Sequence, residues 1–196
     1  MRNFSDQTEE KEHVMPNQKF KQNFSDREDV WALLVIDVQI GLFKKSSPIF
    51  KSDELLTNIN LLVDKAREKN VQVIYIQHSH PGYLVYGSEE WQFHPKLQIR
   101  DKDRLIHKLQ GNAFEGTHLE ELLDSNCVNH LIITGLVTHG CVKGTVVGAL
   151  ELGYQVTLVE DGHSNYSKDA FDLIIKWNQK LCDLGAKIKK TEQIGF

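Results

Sequence analysis

The chain predicts an α/β fold, a three-layer sandwich with a mostly parallel central sheet and helices on both faces. Three observations carry that prediction. Apolar, often β-branched runs at 31–36, 71–76, 128–135 and 154–159 have the composition of strands buried in a parallel sheet. Windows at 54–69, 117–125, 141–152 and 168–184 place apolar residues at the i, i+3/i+4 interval of a helix with one buried stripe. Asp37, Lys108 and Cys141 each fall at or near the C-terminal end of a predicted strand, the rim where open α/β sheets hold their ligands.

Taken in order, residues 1–29 are polar and charged, and Asn-Phe-Ser-Asp occurs twice, at 3–6 and 23–26. They read as an N-terminal extension to a single domain at 30–196. The first strand, Trp-Ala-Leu-Leu-Val-Ile, runs into Asp37, Val38 and Gln39. After a loop through Pro48, the helix at 54–69 lines up Leu55, Ile59, Leu62, Val63 and Ala66. The strand at 71–76 leads to a long loop carrying His78, His80, Tyr83, Tyr86, Trp91, Phe93 and His94, rings that could wall a pocket. A short strand ends at Lys108. Thr117 with Glu120 predicts a capping box for the helix that follows. From Gly135 a tight turn leads into a helix that starts at Cys141 and is stopped by Gly153. The strand at 154–159 ends in polar Glu160, Asp161, Gly162, His163 and Ser164. The last helix turns Phe171, Ile174, Ile175 and Trp177 inward and closes at Gly185, before a final short strand at 186–188.

Composition narrows the function. At 196 residues with 40% apolar and 26% charged side chains, the chain suits one globular domain. A net charge of −4 without a basic stripe argues against nucleic acid. No apolar run approaches the roughly 20 residues that span a bilayer, so no membrane role is expected. The N-terminal stretch has no signal-peptide core, and three cysteines without paired spacing suit a reducing compartment; both point to the cytoplasm. The histidines form no CxxC or HExxH pattern, and His78 with His80 lacks a third ligand, so neither metal nor cofactor is expected. A nucleotide-binding domain is disfavoured because Asp37, Val38 and Gln39 stand where a GxGxxG would follow the first strand.

Each of the three rim residues has a plainer local explanation: Cys141 as a small buried apolar residue, Asp37 as a cap, Lys108 as solvated surface. A thiol in a first helical turn would see the positive end of the helix dipole, which lowers its pKa. Together the motifs are specific. Leu-Val-Ile-Asp-Val-Gln at 34–39, Lys108 followed by Asn-Ala-Phe-Glu-Gly-Thr-His-Leu at 112–119, and Gly-Leu-Val-Thr-His-Gly-Cys-Val-Lys-Gly-Thr at 135–145 resemble the isochorismatase-like cysteine hydrolase superfamily, which includes nicotinamidases and N-carbamoylsarcosine amidohydrolases. The resemblance runs from about residue 32 to the C-terminus.

The resemblance implies a Rossmann-like, isochorismatase-like fold and a triad of Asp37, Lys108 and Cys141. It also implies a non-proline cis peptide at Val137–Thr138 and an oxyanion hole from the backbone N–H groups of Thr138 and Cys141. Gln39, Phe43, Trp91, Phe93, His94, Phe114 and His139 are the candidate pocket lining. Nicotinamidases share an Asp-x-His metal motif after the first strand; Ile40, Gly41, Leu42 and Phe43 do not match it. The expectation is therefore a metal-independent cysteine hydrolase that cleaves the C–N bond of a small amide, carbamoyl or lactam substrate through a thioester. The alternatives are hydrolysis of an isochorismate-type enol ether and a catalytically silent binding or assembly protein. The resemblance further implies a homo-oligomer, a dimer or tetramer.

Overall fold

The computed structural model describes residues 29–196, so the N-terminal extension expected at 1–29 lies almost entirely outside the described residues. Among the described residues there are six strands: β1 (Trp31–Ile36), β2 (Gln72–His78), β3 (Arg104–Lys108), β4 (His130–Leu136), β5 (Gln155–Ser164) and β6 (Lys187–Lys189). They form one sheet in the order β3-β2-β1-β4-β5-β6, and every pairing is parallel. The helices are α1 (Ile40–Phe43), α2 (Ser52–Glu68), α3 (Leu119–Ser125), α4 (Lys143–Glu151) and α5 (Ala170–Asp183).

Successive strand residues point to opposite faces, and the two halves of the core follow from that alternation. Leu34, Ile36, Ile74, Ile76, Leu131 and Ile133 pack beneath Leu119, Leu123, Val146, Ala149 and Leu181 of α3, α4 and α5. Leu33, Val35, Val73, Tyr75 and Ile132 face the Leu55, Ile59, Leu62 and Val63 stripe of α2. The chain winds outward from β1 in one direction and then restarts at β4 in the other. The switch between β1 and β4 is where such sheets open a crevice at their C-terminal ends. Gly135 makes that junction tight. Its φ is +117°, and a Cβ there would lie 2.1 Å from the Ile36 carbonyl oxygen.

Four local expectations change. The cis peptide is Leu136–Val137, the bond that leaves β4, one residue before the predicted position. Thr117 accepts the Leu119 N–H at 3.2 Å, but its hydroxyl donates to Ala113 O and His118 takes the cap position, so the capping box with Glu120 does not close. On α5, Ala170, Asn178 and Leu181 are buried, whereas Phe171 and Ile175 are more than half exposed. β5 continues through the polar residues Glu160–Ser164 because its register with β4 jumps from Ile133↔Leu158 to Gly135↔His163. Among the described residues no helix is long and apolar enough to cross a membrane.

Candidate active site

Asp37 is the residue at which the chain leaves β1. Its backbone sits in the left-handed region, φ +50°, which an aspartate tolerates better than most residues. Its N–H donates to Ile76 O at 2.9 Å, tying it to β2. Its side chain is 2% exposed and takes a 2.7 Å hydrogen bond from Lys108 Nζ, whose own side chain is fully buried. The β2–β3 register brings Lys108 opposite His78, and Nζ also donates to Gln110 O at 3.1 Å. Asp37 Oδ1 is buried without a partner of ordinary hydrogen-bond geometry. The Cys141 thiol interacts with both the carboxylate and the ammonium. The structure thus brings together the three residues that the sequence placed on one rim.

Burial alone would pull the Lys108 ammonium down, but the charges of Asp37 and Cys141 outweigh it and hold the lysine above its ordinary value. Burial pushes the Cys141 thiol up, to about 12, with the Asp37 charge adding to it and Lys108 working against it. The net shift is opposite to the expected lowering, because burial and the Asp37 charge outweigh the Lys108 ammonium. Residue 141 lies inside a π-helical turn, Thr138–Val142, broken at Gly140, and the regular helix begins only at Lys143.

The turn has its own support. Gly140 N–H and Val142 N–H both donate to Val137 O, at 2.9 and 3.3 Å. Thr138 is fully buried, and its hydroxyl lies 2.9 Å from His163 Nδ1, while His163 Nε2 lies 2.8 Å from Asn178 Oδ1. Burial drops His163 to about 4. From the sequence His163 is only one of the polar residues that end the strand at 154–159, with no role marked for it.

The candidate pocket residues divide. Gln39 is a strut: its Nε2 donates to His78 O and Trp91 O at 2.9 and 2.7 Å, and its Oε1 accepts the His78 N–H at 2.9 Å. With both amide hydrogens and its oxygen bonded to backbone, it ties the rim to the long loop. Trp91 is also tied inward, Nε1 donating to Ser79 Oγ at 2.8 Å and the ring stacking on His107. Phe93 packs edge-on against Tyr75, and Phe43 meets His94 with centroids 4.4 Å apart. Phe114 stacks on Tyr154 and packs, like Cys141, against the core beneath α3 and α4. His139 belongs to the π-helical turn, and its Nδ1 is buried without a partner. Tyr83, one of the loop rings named from the sequence, and Tyr166, which was not, come close in the electrostatic sense. Burial and the Cys141, Tyr166 and Asp37 charges raise the Tyr83 phenol, which places Tyr83 and Tyr166 in the field of the triad. The aromatic, glycine-containing loop was the available signal for Tyr83. The His78 and His80 rings lie 6.4 Å apart, and among the described residues no group of three or more His, Cys, Asp or Glu is placed to hold a metal ion.

Fold and rim define a class: a doubly wound α/β protein with a thiol, a carboxylate and an ammonium buried together at the switch point of the sheet. The chain belongs to the isochorismatase family, whose isochorismatase domain matches residues 31–183. Among similar proteins, a streptothricin hydrolase from Streptomyces noursei is 30% identical over 139 residues, 70% of this chain and 50% of that protein. The N-carbamoylsarcosine amidase of an Arthrobacter species is 25% identical over 160 residues, 71% of this chain and 58% of that protein. The chain thus spans little more than half of these two relatives. The crystal structure of an isochorismatase from Pseudomonas putida KT2440 superposes with a TM-score of 0.78 at 27% identity, covering 85% of this chain and 90% of that one.

Proposed function

We propose that this protein is a cysteine hydrolase that cleaves the C–N bond of a small amide, carbamoyl or lactam compound without a metal. One observation carries the proposal: the Lys108–Asp37 ion pair is buried against the Cys141 thiol at the switch point. Burying two charges is expensive, so a pair placed there needs a reason other than stability. Relatives named as a hydrolase and an amidase support the reaction class.

In this mechanism Cys141 Sγ attacks the substrate carbonyl as Asp37 takes the thiol proton. A thiol raised by burial requires such a base, and the unpartnered Oδ1 of Asp37 is the oxygen available to act as one. The tetrahedral oxyanion is received by the backbone N–H groups of Thr138 and Cys141. Its collapse breaks the C–N bond, and Asp37 passes its proton to the departing nitrogen. Asp37 then deprotonates a water that attacks the thioester, and the thiol is restored. Lys108 stays protonated throughout and offsets the negative charge as it moves between oxygen and sulfur. Tyr83, Tyr166, Phe114 and His139 are the proposed walls.

The test is ammonia release, or appearance of the ring-opened acid, from a panel of primary amides, N-carbamoyl compounds and lactams. At least one should turn over, and Cys141→Ala should lower that rate by about 10³-fold or more. Turnover that survives Cys141→Ala would end the proposal. The free thiols of Cys127, Cys141 and Cys182 suit the cytoplasm as the proposed location. The homo-oligomer stays part of this proposal, and a monomer by light scattering would remove it.

A further inference from the structure

Three polar side chains from three separate elements meet in the interior beside the nucleophile's turn. Thr138 comes from the π-helical turn, His163 from β5 and Asn178 from α5; all three are buried. Their hydrogens can be assigned by chemistry. Asn178 Oδ1 can only accept, so His163 Nε2 carries the proton and donates across 2.8 Å. Nδ1 is then bare and accepts the Thr138 hydroxyl across 2.9 Å. A histidine this buried stays neutral through the physiological range, which keeps that direction fixed. The arrangement depends on the jump in register that pairs His163 with Gly135, just before the turn begins.

An apolar trio of the same shape would fold about as well, because a buried hydrogen bond adds little net stability over apolar groups that fit. What the polar trio adds is direction. With its hydroxyl committed to His163, Thr138 is held in one rotamer, and the peptide planes on either side of it are fixed. An oxyanion donor misplaced by about 1 Å loses on the order of 10² in rate. We propose that His163 is a positioning residue for the reaction: anchored by Asn178, it grips the Thr138 hydroxyl and so sets the turn whose backbone N–H groups receive the oxyanion. This rests on the hydrolase proposal above.

The experiment compares two reactions at one sulfur, both read at Cys141 by peptide mass spectrometry on the full chain. Acetylation by p-nitrophenyl acetate passes through a tetrahedral oxyanion. The acetyl group moves to Sγ, nitrophenolate leaves and the thiol proton goes to Asp37. Alkylation by iodoacetamide displaces iodide at a saturated carbon and forms no oxyanion. His163→Leu and the smaller change Thr138→Val should slow acetylation by about 10- to 100-fold while alkylation stays within about twofold. Thr138→Ser, which keeps the hydroxyl, should restore acetylation to within about threefold of wild type. A purely structural role would move both reactions together. Wild-type Cys141 that takes both reagents, with variants that slow both alike or neither, overturns the positioning role and leaves the hydrolase proposal standing. Wild-type Cys141 that takes neither reagent overturns both.

Discussion

Replacing Lys108 by methionine keeps a long side chain and removes its charge. Both partners of the ion pair are buried, with 0% and 2% of their side chains exposed and 2.7 Å between Nζ and Oδ2. Removing one partner leaves the Asp37 carboxylate in a dry site beside a sulfur, which costs about 3–5 kcal/mol. Asp37→Asn strands the ammonium instead and should cost a comparable amount. The double variant Asp37→Asn/Lys108→Met buries no charge, and it should lie within about 2 kcal/mol of wild type, far below the sum of the singles. Urea unfolding of the four proteins at pH 7.5 measures this directly. All three variants should be inactive, the double included, which would separate the pair's role in chemistry from any role in holding the fold. Singles that add to the double within about 0.5 kcal/mol would refute the reasoning, because no coupled buried pair would then exist.

Three further outcomes follow from the same geometry. Gly135→Ala has no room at the Ile36 carbonyl and a disfavoured φ, so it should lose about 4 kcal/mol or fail to accumulate as soluble protein, read as a drop in Tm. His163 has a folded pKa near 4, below the ordinary histidine value of about 6.5, so the unfolded chain binds the proton more readily. Stability is therefore full above about pH 6.5 and falls as pH drops toward 4, by about 3 kcal/mol, and His163→Gln should flatten that part of the profile in urea titrations. Because Cys141 depends on Asp37 to take its proton, its alkylation rate should be nearly flat across neutral pH, whereas exposed Cys127 and Cys182 should speed up with pH. Asp37→Asn removes the charge that raises the thiol and leaves the Lys108 ammonium beside it, so direct alkylation of Cys141 should become pH-dependent and set in at lower pH than burial alone would give.

Much of this was legible in the sequence because it rests on local pattern. The buried runs gave the parallel strands, and the helical stripe of Leu55, Ile59, Leu62 and Val63 gave α2. Asp37, Lys108 and Cys141 were legible because each ends or follows a strand, and a parallel sheet aligns strand ends on one rim. What escaped depends on tertiary placement. His163 is one polar residue of a strand end and Asn178 is unmarked in its helix until a register jump and a helix face bring them to Thr138. Gln39 is a candidate for the pocket lining by sequence, and its amide is bonded to the backbone of β2 and the long loop. The Cys141 thiol is raised, opposite to the expectation, because burial and the Asp37 charge act on it, and neither is written in the local sequence.

The central claim is that Cys141 carries the substrate's acyl group between two halves of a C–N bond hydrolysis. It is tested most directly by quenching the enzyme in acid while it turns over an amide from the panel and mapping the adduct by peptide mass spectrometry. The account predicts an added mass equal to the acyl or carbamoyl fragment, on Cys141 alone, that is removed by hydroxylamine. Turnover with the adduct on another residue, or with no adduct and an unimpaired Cys141→Ala variant, would contradict it.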